Sequence, residues 1–523
     1  MRSKGRSTVR APRAMVATSQ PLAVQAGLHV LQKGGNAVDA AVAAVATLGV
    51  TEPMSTGVGG DLFALVYSAK EREVYALNAS GPAPRNASLS ELREKGYERM
   101  PSDGIVSVTV PGALRGWETL LERFGTKPLK ELLEPAIGYA ERGFPVMEIT
   151  SRRWQRSEEK LRRHPATAQT YLLEGRAPRP GEPFRNPSLA RTLRAIAHEG
   201  VDAFYEGEIA QALVRESERL GGWLSLDDLV AFRPEWVDPI AIRYRGVEVL
   251  EHPPNGQGLI ALLALHILEG FDLASMGLTA EYYHRVIEAL KLAFDDGKRY
   301  IADPRYAEVP VEKLLSKEYA AERRSLIGER ALDTGPPGAL EGGTVYVTVV
   351  DEERNVVSLI ESLFMPFGSG IAVEGTGVLL QNRGALFALD PEHPNSLAPG
   401  KRPYHTIIPA MALRDGEPWL SFGVVGGFMQ PQGHVQLLCH VLDHGMDLQE
   451  AVEAPRVRYY GGRRVAVEPF MPKEIREGLA QRGHELVEGD GNFGGAQIVA
   501  LDPETGMLAG ASDPRKDGCA LGF

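Results

Sequence analysis

After about residue 335 the chain changes texture. Residues 344–350 open a strongly β-prone run, TVYVTVV, and further strand-like runs follow at 356–361, 377–380, 407–413 and 420–424. Roughly residues 145–300, by contrast, read mainly as helices stopped at Gly200, Gly221-Gly222 and Gly270. Helices first and strands later can mean two separate domains. Strand-like segments at 15–18 and 62–67 favour the other solution, in which the first half contributes to the same sheets and the chain forms one interwoven α/β unit.

The helical patterns are bounded by recognisable signals. One begins after Ser19, with Pro21 just inside, and closes at Gly34-Gly35; an alanine-rich one covers about 37–48. Others run from Pro111 to a stop at Gly125 and from Leu129 to Gly143. The strongest spans 280–300, where Tyr283, Val286, Ile287, Leu290, Ala293 and Phe294 recur at helical spacing. On that helix Glu288, Lys291 and Asp295 read as a solvated face with local charge pairs.

Charge narrows the function. A net charge of -11 over 523 residues provides no broad basic field, so nucleic acid is not expected as a partner. The most apolar stretch, 37–50, contains Asp39 and is shorter than the roughly 20 residues that span a bilayer, so no membrane association is expected. The basic start, Arg2 to Arg13, is followed by no long apolar run, and Cys439 and Cys519 read as ordinary thiols; both point to the cytoplasm.

One junction is chemically suggestive. In EGGTVYVTVVD, Gly342 and Gly343 can adopt conformations closed to other residues, letting the Gly343 carbonyl approach the Thr344 hydroxyl. Attack there gives an ester and then a cut chain. The exposed α-amine, with a pKa of about 7.7–8, suits a general base near neutral pH. Read locally, Thr344 is better explained as the first residue of a strand after a Gly-Gly turn.

The wider context bears on that choice. MVATSQPLAVQAGLHVLQKGGNAVDAAVAA (15–44), VPGALRGW (110–117), AFDDGKRYIADP (293–304), the Gly-Gly-Thr junction, FGSGI (367–371), GKRPYHTIIPAM (400–411), VGGF (425–428) and GASDPRKDG (510–518) occur in an order that resembles the gamma-glutamyl transpeptidase family along nearly the whole chain. The resemblance implies an α/β fold of four layers, αββα, in the N-terminal-nucleophile manner. It also implies cleavage before Thr344 into a large subunit, 1–343, and a small subunit, 344–523, both interwoven in one domain and each the other's partner. A dimer of such pairs is a further assembly the sequence leaves open. Thr344 becomes the expected nucleophile and Gly426-Gly427 the expected oxyanion hole, although a tight turn after 420–424 explains the two glycines equally well. Ser362 stands where the family has a second threonine that orients the nucleophile; without the resemblance it is a small residue ending a strand. No cofactor is implied.

Several substrate-recognition positions depart from the family. The arginine that clamps the substrate α-carboxylate falls at about Ser80, with Arg85 as the local substitute. Phe364 replaces an asparagine, Arg383 and Leu386 replace the usual acceptors for the substrate amino group, and His405 and Thr406 replace a serine pair. A cation at Arg383 beside an apolar Leu386 favours a small-molecule amide whose acyl group carries a carboxylate and no ammonium. QNRG (381–384) and PYHT (403–406) look closer to the branch with oxamate amidohydrolase-like members and acylase relatives than to glutathione-cleaving enzymes, although family grounds keep gamma-glutamyl compounds such as glutathione open as substrates. A shortened 390–400 segment implies an open pocket that favours water over an amine acceptor.

Other motifs carry less. Gly57-Val58-Gly59-Gly60 lacks the pattern of a phosphate-binding loop. His434, His440 and His444 match no metal-binding spacing, so no metal is expected.

Overall fold

The computed structural model describes residues 5–335, 342–487, 489 and 491–523. Two seven-stranded sheets lie face to face. The first runs in the order Cys519–Gly522, Met15–Thr18, Gly343–Val350, Val356–Phe364, Asp61–Ser68, Glu73–Ala79 and Glu235–Val237. The second runs Val9–Ala11, Leu508–Ser512, Ala496–Leu501, Glu417–Val424, Ala410–Arg414, Val247–Glu251 and Ile240–Tyr244. Both sheets mix strands from before and after Thr344. Met15–Thr18 and Val356–Phe364 flank Gly343–Val350 on either side, antiparallel to it.

The period-two alternation of that central strand divides the core. Val345, Val347 and Val349 point into an apolar cluster under one helical layer, while Tyr346 and Val350 face the opposite sheet. Met15, Ala17, Leu65, Tyr67, Leu250, Met411 and Val499 fill the space between the sheets. Ala37–Thr51, buried along its whole length, lies on the first sheet; its alanines permit close approach, and a reciprocal Asn36–Asp39 cap fixes its start. Gly258–Leu268 and Met429–Leu442 cover the second sheet, and Ala280–Tyr300 packs against both helices. The result is the four-layer αββα sandwich.

Four readings change. The helix expected after Ser19 covers Pro21–Gln32, and Gln20 is its cap: the Gln20 side-chain oxygen accepts from the Leu22 N–H. The middle of the chain is not purely helical, because Ile240–Tyr244 and Val247–Glu251 form a hairpin completing one edge of the second sheet. Residues 377–380 form no strand, only an isolated bridge between Leu379 and Ala372. The expected solvated face holds for Asp295 alone. Glu288 and Lys291 are fully buried as an ion pair of 2.8 Å, and they grip the Leu332 N–H and carbonyl respectively. The 334–338 connector falls partly outside the described residues. Among those described, no helix is long and apolar enough to cross a membrane.

Candidate active site

The strand Gly343–Val350 runs through the Gly343–Thr344 peptide, and the pairing with its neighbour slips there. Gly343 pairs with Phe364 but Thr344 pairs with Ser362, so Leu363 is bulged out. Phe364 carries a φ of 75°, a left-handed conformation rarely adopted by aromatic residues. The bulge puts Ser362 Oγ 2.6 Å from the Gly343 carbonyl oxygen, 2.7 Å from the Phe364 nitrogen and 3.2 Å from Thr344 Oγ1. Ser362 has one proton, and the carbonyl can only accept, so that proton goes to Gly343. Phe364 N–H donates to Ser362, leaving the Thr344 hydroxyl to donate as well. Ser362 thus polarises the carbonyl on one side of the peptide and orients the hydroxyl on the other.

Gly426 and Gly427 follow Glu417–Val424 with φ values of 128° and 63°, open to glycine and strained for other residues. Among the described residues, neither N–H is taken by a hydrogen bond. Gly342 lies directly on them: a Cβ there would come within 2.3 Å of the Gly427 nitrogen. Gln257 Nε2 donates to both the Gly427 and Thr406 carbonyls, joining the glycine turn to the 400–411 segment.

On the far side of Phe364 is a buried polar cluster. The Arg383 guanidinium sits 4.6 Å over the Phe364 ring, donates through Nη1 to Thr406 Oγ1 at 2.7 Å, and lies 3.7 Å from Asp61, an ion-pair distance too long for a hydrogen bond. Its Nε and Nη2 hydrogen-bond to no described residue. Asp61 accepts from the Gly81 N–H and lies 3.2 Å from His405 Nε2. Burial pushes the Asp61 carboxyl up to about 7, opposed chiefly by Arg383, and pulls Arg383 down to about 9, still cationic at neutral pH. Burial holds His405 well below its ordinary value, hence neutral.

Thr344, Ser362, Phe364, Arg383, His405, Thr406, Gly426 and Gly427 therefore form one connected neighbourhood. Arg85 is exposed, bound through its backbone N–H to Asp228, and does not belong to it. At the expected position of the family arginine, Ser80 is buried, and the cation beside it is Arg402, which donates through Nε to the Ser80 carbonyl at 3.0 Å. Asp61 was not singled out from the sequence; its signal was a carboxylate ending a glycine loop at the start of a β-prone run.

Glu361, on the helix-facing side of the same strand, accepts from Thr56 at 2.5 Å and Trp117 at 2.7 Å. Burial raises its carboxyl from 4.5 to about 8. The folded chain then keeps a proton that the unfolded chain releases, so this stabilisation is complete below 4.5 and is lost as pH rises through about 8. Glutamine mimics the protonated form, donating to Thr56 and accepting from Trp117. Glu361→Gln is expected to flatten the stability profile between about pH 5 and 8, by on the order of 4 kcal/mol. Urea denaturation at both pH values measures this, and parallel profiles would refute it.

Away from this site, buried His284, Glu288 and His484 bring ligating atoms within 4.8 Å of one another. Lys291 Nζ, 2.8 Å from Glu288, places an ammonium against the carboxylate that a metal would need.

The gamma-glutamyltranspeptidase family model matches residues 23–523. The chain belongs to this family. It is 41% identical to a glutathione hydrolase-like YwrD proenzyme of Bacillus subtilis, over 97% of this chain and 98% of that protein. It is 36% identical to an oxamate amidohydrolase proenzyme of Klebsiella pneumoniae, with the same two coverages. The crystal structure of a cephalosporin acylase from Bacillus halodurans superposes with a TM-score of 0.95 at 46% identity, covering 100% of this chain and 98% of the other. As a family member the chain is a self-processing amide hydrolase of the N-terminal-nucleophile class.

Proposed function

We propose that Thr344 cuts the chain at its own amino side and then hydrolyses small amides whose acyl group carries a carboxylate. In processing, Thr344 Oγ1 attacks the Gly343 carbonyl carbon and the hydroxyl proton passes to the Thr344 nitrogen as the peptide bond breaks. Water then cleaves the resulting ester, yielding the Gly343 carboxylate and a free Thr344 amine. In turnover that amine takes the hydroxyl proton as Oγ1 attacks the substrate carbonyl, and the Gly426 and Gly427 N–H groups receive the developing oxyanion. The proton goes to the leaving amine, and water releases the acid from the acyl-threonine ester. Ser362 orients the nucleophile throughout.

One observation carries the acyl preference: a fully buried guanidinium, Arg383, whose Nη2 bonds to no described residue and whose Nε faces Asp61 at 3.7 Å without a hydrogen bond. A substrate carboxylate reaching Nη2 supplies the missing partner and meets a cation. Phe364 stacks on the guanidinium, Thr406 accepts from Nη1, and Asp61, itself beside His405, holds the Nε side. The names of the relatives support amide hydrolysis with differing acyl groups. The free thiols, Cys439 buried and Cys519 partly so, suit a reducing compartment and keep the cytoplasm in this reading.

The test is intact mass followed by turnover. Wild-type protein is expected as two fragments split before Thr344. It is expected to hydrolyse glutaryl-4-nitroanilide faster than gamma-glutamyl-4-nitroanilide, which differs by the ammonium. A faster gamma-glutamyl substrate would overturn the acyl preference, and an uncut chain would overturn the role of Thr344.

A further inference from the structure

A cleft of about 490 Å³ opens beside the junction, with Gly342, Asn492 and Gly494 in its wall. Among the described residues it is strongly cationic: Arg152, Arg153, Arg156, Lys160, Arg515 and Lys516 line it, against Asp103 as the acidic lining residue. Most of the nearby carboxylates are already committed. Asp103 pairs with Lys160 at 2.8 Å, Glu52 with Arg153 at 3.1 Å, and Glu468 and Asp513 with Arg515 at 2.5 and 3.0 Å. Asp517 accepts the Ile149 and Thr150 N–H groups.

Lys516 is different. It is only 7% exposed, and among the described residues its ammonium has no ion pair. Burial, reinforced by Arg153 and opposed by the more distant charges of Glu52, Asp513 and Asp517, lowers it to about 8. Its position ties it to the chemistry. Its aliphatic stem lies so close to Gly495 that a Cβ there would meet Lys516 Cγ at 2.5 Å. The Gly495 carbonyl accepts from the Val425 N–H, one residue before the Gly426-Gly427 pair, and Gly494 Cα lies 3.3 Å from where a Cβ of Gly426 would stand. The Lys516 side chain thus packs against the segment that abuts the oxyanion glycines and lines the open cleft, whereas Arg383 is fully buried.

We propose that this cleft is an anion subsite anchored by Lys516, which takes a carboxylate on the amine half of the substrate. The proposal rests on the reading of Thr344 and deepens it: the amine leaves first, so it occupies the open side, while the acyl half stays with Arg383. The substrates are then amides bearing an acid on each half.

Two paired comparisons test this. N-glutaryl-4-aminobenzoate and N-glutarylaniline differ only by a carboxylate on the amine half. Wild type is expected to favour the former in kcat/KM, with Lys516→Met reducing that ratio about tenfold or more and Lys516→Arg retaining it. Calorimetric binding of 4-acetamidobenzoate, with acetanilide as the uncharged partner, reads the subsite without turnover: it should be lost in Lys516→Met and kept in Lys516→Arg. An unchanged ratio, or equal binding to wild type and Lys516→Met, overturns the subsite. Carboxylate-dependent binding without hydrolysis of either glutaryl compound upholds the subsite and places the fault in the reading of Thr344 and Arg383.

Discussion

Thr344→Ala is expected to remain a single polypeptide of about the full-chain 56.8 kDa and to hydrolyse amides about 10⁴-fold or more slower than wild type. The size of the effect follows from one residue serving twice. Its hydroxyl is the atom placed 3.2 Å from Ser362 and beside the polarised Gly343 carbonyl, and its amine exists only after the cut. Alanine removes the nucleophile for both steps, and the uncut Gly342 continues to lie on Gly427. Thr344→Ser is the control: it keeps the oxygen and should still cut, more slowly, since the β-branch that restricts χ1 is lost. Intact mass over time, followed by anilide turnover, measures both variants. Cleavage of Thr344→Ala at the same bond would remove the threonine from the mechanism.

The second large effect is expected at Arg383. Methionine there fills similar volume but leaves Asp61 buried without its cation, an imbalance costing about 3 kcal/mol, part of which Asp61 recovers by taking a proton. Turnover of a carboxylated acyl amide should fall about 100-fold, while a neutral acetyl amide should change little. Stability and recognition separate in the double variant Asp61→Asn/Arg383→Met, which removes both charges: its urea midpoint should return toward wild type while its preference for carboxylated amides stays lost. Equal losses on acetyl and glutaryl anilides in the single variant would make Arg383 a structural cation.

How much of this could be read from the amino-acid order depends on how far each interaction reaches. Ala280–Tyr300 carries its own period and cap, so its bounds emerge from local spacing. Ile240–Tyr244 and Val247–Glu251 were missed because they are short, surrounded by helical patterns and completed by pairing with Ala410–Arg414 far along the chain. Glu288 and Lys291 look solvated three residues apart on a helix; the Leu332 backbone that buries and satisfies them leaves no trace in that helix. The same limit applies at the site. Thr344, Gly426 and Gly427 stand in motifs, but the Asp61–Arg383–Thr406 association joins residues from three distant segments, and nothing near Arg85 signals that its side chain turns outward.

The position of Gly343–Val350 has a consequence for the order of events. On the proposed mechanism a catalytic α-amine is required inside a seven-stranded sheet, at a residue paired with Ser362 on one side and just ahead of where its strand pairs with Met15–Thr18 on the other. A ribosome-made terminus would have to be trimmed to its threonine and then threaded into that gap. Carrying the residue in as an interior position lets ordinary folding place it, and the terminus is made afterwards in a site already packed. The bond that is finally broken has by then served as the guide that aligns the strand with its partners.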